Sequence, residues 1–167
     1  SRPSGAEAKK IADALRAQGP FAAILLTQNE TSTGVTNDVQ ALAGAIREAG
    51  GDDVLILVDG ISGLGAVRLQ ADAWDCDVVI SASQKAWMAP PGLSFISMGP
   101  RAWAAAERAT CPRFYWDLRA ARHAAERGET PWTPAVNALQ GLRVALSLMR
   151  AEGLEAIYAR HRRLARR

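Results

Sequence analysis

Short, continuous apolar runs alternate with helical patterns along the first part of the chain, and that alternation restricts it to α/β architectures. FAAILLT (21–27), VLILV (54–58), DVVISAS (77–83) and LSFISM (93–98) are predicted strands. The run of 21–27 reads as a buried strand, and the unbroken hydrophobicity of 54–58 suits a sheet covered on both faces. Residues 5–17 put Ala8, Ile11, Ala12 and Leu15 on one helical face before Gly19-Pro20 stops the helix. A second helix is predicted over 37–49, closed by Gly50-Gly51. Residues 28–34 read as a polar loop, 59–65 as a glycine-punctuated turn, and 66–75 as a short irregular or helical crossover. From Pro100 onward the pattern is helical, with breaks at Pro112, Pro131 and Pro134. Pro134 is placed to open a long helix through Met149, and Gly153 separates it from a last helix running to Arg167. The expected fold is a mostly parallel sheet with flanking helices.

Composition narrows the function classes. With 167 residues, 49% of them hydrophobic, the chain is long enough to bury a core of ordinary size. Twenty basic against 17 acidic residues leave a net charge of +3, too slight an imbalance to call for a nucleic-acid or membrane partner. No apolar run approaches the roughly 18–20 residues of a membrane helix, and no signal-peptide pattern opens the chain, so a cytoplasmic protein is expected. Cys76 and Cys111 stand apart without metal-ligand spacing, so neither a disulfide framework nor a metal site is expected. The final RHRRLARR carries no helix stop signal, and the start is equally abrupt. The chain therefore reads as part of a larger fold, with a small four-stranded domain as the alternative.

In an open α/β sheet, function collects where loops leave the carboxyl ends of the strands. Parallel strands would bring Thr27 to Thr33, Asp59, and Ser81 to Lys85 onto one rim. Lys85 stands out because only three of the 20 basic residues are lysine, and the other two, Lys9 and Lys10, share a polar helix face. Flanked by Ala86, Trp87, Met88, Ala89 and two prolines, its ammonium is expected to be partly desolvated, which favours the neutral, nucleophilic amine that forms Schiff bases. A lysine snorkelling from an apolar loop to solvent is the other reading. Asp59 ends a hydrophobic strand and needs a cationic or hydrogen-bonding partner. Lys85, a protonated pyridine nitrogen, or the following turn would each satisfy it.

LVDGISGLGA (57–66), DVVISASQKAWMAPPGLSFIS (77–97) and the upstream QNETSTGV (28–35) together resemble the class V aminotransferases of pyridoxal phosphate fold type I. Within that family the likeness is to the serine/alanine:glyoxylate (or pyruvate) aminotransferase branch. TPWTPAVNALQGLRVALSLM (130–149) resembles the family's interface segment and the helix after it. The resemblance implies that Lys85 forms the Schiff base with pyridoxal 5'-phosphate and shuttles the proton. It implies that Asp59 pairs with the pyridinium nitrogen, Ile61 packs on the ring and Thr31 bonds near the ring oxygen. Gln84 then contacts the phosphate region, and Thr133 reaches the phosphate bound in a partner subunit of a homodimer. Thr130 stands where relatives can carry tyrosine, and Gln28 where the loop usually has histidine. The substrates implied are a small amino acid, alanine or serine, and a 2-oxo acid, glyoxylate or pyruvate.

On the same resemblance, residues 1–167 form part of the large, cofactor-binding domain. The phosphate-holding turn and stacking aromatic would lie upstream, and the small domain with its carboxylate-gripping arginine downstream. Two other readings stay open: a non-catalytic α/β dimerisation or binding module, and a related pyridoxal phosphate lyase or desulfurase. GISGLG has the wrong spacing for a dinucleotide loop. Ser81 and Ser83 lack a plausible histidine partner, since His123 and His161 lie in polar helical stretches.

Overall fold

The computed structural model describes residues 5–165. In chain order the elements are α1 (Ala8–Gln18), β1 (Ala23–Thr27), β2 (Asn29–Glu30), β3 (Val35–Thr36), α2 (Val39–Gly50), β4 (Leu55–Asp59), β5 (Val78–Ala82) and β6 (Ser94–Met98), then helices α3 (Pro100–Arg108), α4 (Leu118–Glu126), α5 (Val136–Glu152) and α6 (Leu154–Leu164). The main sheet has the order β1-β4-β5-β6. Its first three strands are parallel, with Ile24 level with Ile56 and Val58 level with Val79.

The core forms where one sheet face meets α1 and α2. Leu26, Ile56, Val58 and Val79 pack there against Leu15, Val39, Leu42, Ala43 and Ile46. Each Leu, Ile or Val side chain among them contributes about 1.5–3 kcal/mol when taken from water. Asp38 caps α2 by accepting the Ala41 N–H at 3.0 Å. Gly51, at φ +67°, ends it in a conformation that costs glycine nothing.

Several sequence expectations change. β1 is not buried along its length: only Leu26 is, while Leu25 on the opposite face is 79% exposed. Strand alternation explains this, because the helices α1 and α2 cover one face and Leu25 points to the other. β6 runs antiparallel to β5, with Ile80 level with Ile96. The intervening residues 83–93 contain no helix, and a parallel return needs a crossover of about a dozen residues or more. Residues 28–34 are not simply a loop, since β2 and β3 pair Asn29 with Thr36 and Glu30 with Val35 around a turn at Gly34. The crossover after Asp59 is a chain of turns without a helix. α6 ends at Leu164, and Arg166 and Arg167 lie outside the described residues.

At the amino ends of the strands, charges close the sheet. Asp77 is 3% exposed, and its Oδ2 accepts from Arg47 at 2.6 Å and from the Ile56 N–H at 2.7 Å. Its Oδ1 accepts from Arg101 Nε at 2.7 Å, and Arg101 also pairs with Asp75. The Arg101 hydrogen bond holds the Asp75 carboxyl below its usual range. Between these carboxylates Cys76 is buried, and burial, aided by Asp77, pushes its thiol up to about 11. Both cysteines are free thiols. Among the described residues no helix is long and apolar enough to cross a membrane.

Asp77→Ala leaves two guanidinium groups without their shared buried carboxylate and is expected to cost about 3 kcal/mol in urea denaturation. Under native conditions at pH 8, thiol alkylation is expected to modify exposed Cys111 about tenfold faster than Cys76. Equal rates would show that the Asp75–Asp77 segment opens freely.

Candidate active site

The parallel register levels the carboxyl ends of β1 and β4, and β5 runs two residues beyond them. Thr27 is paired with Asp59, and Asp59 with Ile80, so the segments that follow them leave from one edge. Asp59 is exposed there. Its Oδ1 accepts the Ile61 N–H at 2.9 Å, so the turn itself satisfies half of the carboxylate. Oδ2 accepts no hydrogen bond from the described residues. Lys85 is not its partner: no ion pair joins the two. Of the three partners open to Asp59, the structure supplies the turn, and a cationic group on the outer oxygen remains compatible with it.

Lys85 is exposed rather than partly desolvated. Trp87 and Ala89 pack inward, while Met88 stays exposed like the amine. Trp87 donates its indole N–H to Ser81 Oγ at 2.8 Å and meets Phe95 edge-on at 5.5 Å, while Ala89 is buried. Ser83, fully buried, fixes the ends of this segment. Its Oγ donates to Pro90 O at 2.6 Å, its N–H donates to Leu93 O at 3.0 Å, and Ala89 N–H donates to Ser83 O at 3.1 Å. Met88 N–H closes the tight turn on Lys85 O at 3.0 Å. Ser81 and Ser83 are thus consumed by the scaffold, and neither presents a free hydroxyl.

The two functional turns touch. Gly65, at φ +100°, lies so close to the lysine segment that a β-carbon there would stand 3.5 Å from Ala86 Cβ and 3.4 Å from Met149 Cε. Gly141 on α5 meets Pro90 in the same way, a β-carbon there standing 2.9 Å from Pro90 Cδ. α5 therefore supports the lysine segment from outside the sheet.

Thr31 is exposed at the tip of the β2–β3 turn. Beside it Glu30 accepts both the N–H and the hydroxyl of Ser32, which lowers its carboxyl below the usual range. The strand-like part of this segment is tied to the Asp59 turn through Ser62, a residue that sequence reasoning missed. Asn29 Nδ2 donates to Ser62 Oγ at 2.9 Å, and Ser62 Oγ donates to Asn29 O at 2.8 Å. A lone serine between Ile61 and Gly63 in a glycine-rich turn carries no sequence signal of its own. Gln84 is exposed beside Lys85, and Ile61 is half-buried on the Asp59 turn.

Thr133 does not join this rim. It sits exposed in the segment before α5, next to a cluster of rings. There Trp132 meets Phe114 edge-on at 5.1 Å and stacks on Tyr115 at 5.2 Å. Phe114 is 79% and Trp116 75% exposed, so these rings do not belong to the core. A cleft of about 540 Å³ between Pro90-Pro91 and residues 134–138 links this segment to the end of the lysine loop.

An exposed amine, a carboxylate with one free oxygen, and hydroxyl and amide groups on a single edge form a donor set suited to a cationic aromatic aldehyde bearing an anionic group. Ser83→Ala is expected to destabilise the fold by about 1–3 kcal/mol by removing the buried hydroxyl that bonds Pro90 O and the Leu93 N–H, measured by chemical denaturation.

Comparisons with known proteins agree with the fold. The family model for aminotransferase class-V matches residues 7–167. The chain is 48% identical over 156 residues to the "soluble hydrogenase, small subunit" of Synechococcus sp. (strain PCC 6716), covering 93% of this chain and 40% of that protein. It is 39% identical over 165 residues to the serine–glyoxylate aminotransferase of Methylorubrum extorquens, covering 95% and 41%. The crystal structure of pyridoxamine-pyruvate aminotransferase from Mesorhizobium loti superposes with a TM-score of 0.86 at 28% identity, over 95% of this chain and 40% of that one. The chain thus spans about 40% of the length of these relatives. It belongs to the class-V aminotransferase family.

Proposed function

We propose that this chain is part of the large domain of a pyridoxal 5'-phosphate-dependent aminotransferase. In this reading a small amino acid, alanine or serine, gives its amino group to a 2-oxo acid, glyoxylate or pyruvate. The observation that carries the proposal is the edge itself, where parallel register brings Asp59 level with Ile80, two residues before the end of β5, from which the Lys85 segment leaves. Gly65 lies beside Ala86, which sets the two turns next to each other.

Bound there, pyridoxal phosphate supplies a carbonyl that condenses with amines and a ring that withdraws electrons from the substrate's α-carbon. Lys85 Nζ, exposed and free of ion pairs among the described residues, would hold the group through a bond that amines exchange. Once free, Nζ takes and returns the proton that leaves the α-carbon. Asp59 keeps a proton on the ring nitrogen through the carboxylate oxygen that the Ile61 N–H leaves open. Ile61 bears on the ring face, Thr31 bonds near the ring oxygen, and Gln84 bonds near the phosphate.

Thr133 fits the same reading through a second copy. Its neighbours Phe114, Tyr115, Trp116 and Trp132 form an exposed aromatic surface of the kind that another subunit covers. We therefore propose a homodimer in which Thr133 reaches the phosphate held by the other subunit, in a cytoplasmic enzyme. The hydrogenase name of one relative is not carried over, because an amine and a carboxylate on a strand-end edge are the groups of amine–carbonyl chemistry.

In the full-length protein, Lys85→Ala is expected to lower transamination at least 10³-fold, within the range of lost acid–base catalysis. Asp59→Asn, which keeps the shape but removes the charge, is expected to lower kcat by about 10²-fold or more and to weaken cofactor binding. Steady-state kinetics with alanine and serine against glyoxylate and pyruvate decide the matter. Undiminished turnover by Lys85→Ala sinks the proposal.

A further inference from the structure

We infer that Gln28 is a positioning residue that holds both ends of the turn carrying Asp59 and Ile61. The inference rests on the function proposed above for the purpose of that turn, and on geometry alone for the holding. At the near end, Gln28 N–H donates to Asp59 O at 2.9 Å. At the far end its side-chain amide donates to Val67 O at 3.3 Å and Arg68 O at 3.1 Å. Gln28 O also accepts the Asn37 N–H at 2.8 Å, which fixes the residue to the entrance of α2. One residue therefore spans the turn from 59 to 68 and ties it to a helix outside the edge.

The amide is 1% exposed, so these bonds form without competition from water. Its Oε1 is buried with no partner, a cost accepted to keep the amino group aimed at the two carbonyls. The Gln28 amide offers the two hydrogens of its single nitrogen to adjacent carbonyl oxygens without burying a charge. The turn has a matching adaptation. Gly63 lies against the amide so closely that a β-carbon would stand 2.9 Å from Gln28 Cδ and closer still to Oε1. The Gly63 backbone is not left-handed, so space for Gln28 is what the position requires.

Arg68, whose carbonyl Gln28 holds, extends the arrangement outward. Its guanidinium pairs with Glu155 and lies 5.3 Å above the Tyr158 ring, both on α6. Gln28 thus holds the turn from the inside while α6 meets it from the outside.

The test is amide hydrogen exchange across residues 59–68 of the full-length protein, together with titration by pyridoxal phosphate. Gln28→Glu keeps the shape but offers the two carbonyl oxygens at most one hydrogen, and none when ionised. Exchange in 59–68 is expected to rise about tenfold with β4 and α2 unchanged, and the cofactor Kd about tenfold. Gly63→Ala, which displaces the amide from the other side, is expected to reproduce both effects and guards against a Gln28 variant that fails to fold. Unchanged exchange in both variants overturns the holding role. Faster exchange with an unchanged Kd overturns the positioning role. A wild-type protein that binds no cofactor overturns the proposed function and with it the positioning role, while the exchange pattern still decides whether Gln28 holds the turn.

Discussion

Parallel pairing of β1, β4 and β5 is the constraint on which the rest of the molecule depends. Hydrogen bonding sets Thr27, Asp59 and Ile80 in one row, and a shift by one residue in any strand would send its buried side chains to the open face. The core of Leu26, Ile56, Val58 and Val79 opposes that slip. Because side chains alternate, the packing that buries Val58 also sets Asp59 outward at the end of the strand. The position of the carboxylate is a consequence of where the hydrophobic residues must go.

The two ends of the sheet handle charge in opposite ways. At the amino ends, Asp77 is buried under Arg47 and Arg101, with both carboxylate oxygens engaged. At the carboxyl ends, Asp59 and Lys85 are exposed, and no ion pair joins them. Buried, fully paired charge makes a clamp, whereas open charge remains available to a ligand. The neutral polar groups near the second edge, Ser62, Ser81 and Ser83, are occupied in joining turns to one another. They hold the backbone in place and leave the amine and the carboxylate uncommitted.

Much of this was legible in the sequence. Continuous apolar runs marked the strands, Gly50-Gly51 ended α2, and the resemblance across three ordered motifs identified the family that the comparisons show. The direction of β6 was missed although residues 83–93 are too short for a helical return. The β2–β3 ladder was hidden because threonines, serines and asparagine read equally well as loop. Lys85 looked desolvated because its neighbours are apolar, yet Trp87 and Ala89 fold beneath it. The Arg47–Asp77–Arg101 cluster had no sequence signature, since its members lie on segments far apart in the chain. Sequence patterns record which way a segment turns more readily than which distant segment it meets.

The central claim is that the edge carrying Asp59 presents Lys85 as the amine that captures the cofactor. The direct measurement is borohydride reduction of the full-length protein in the presence of pyridoxal phosphate, followed by mapping of the labelled peptide. Stable labelling at Lys85 within the segment 83–89 is the predicted result. Labelling confined to Lys9 or Lys10, or none at all, would contradict it.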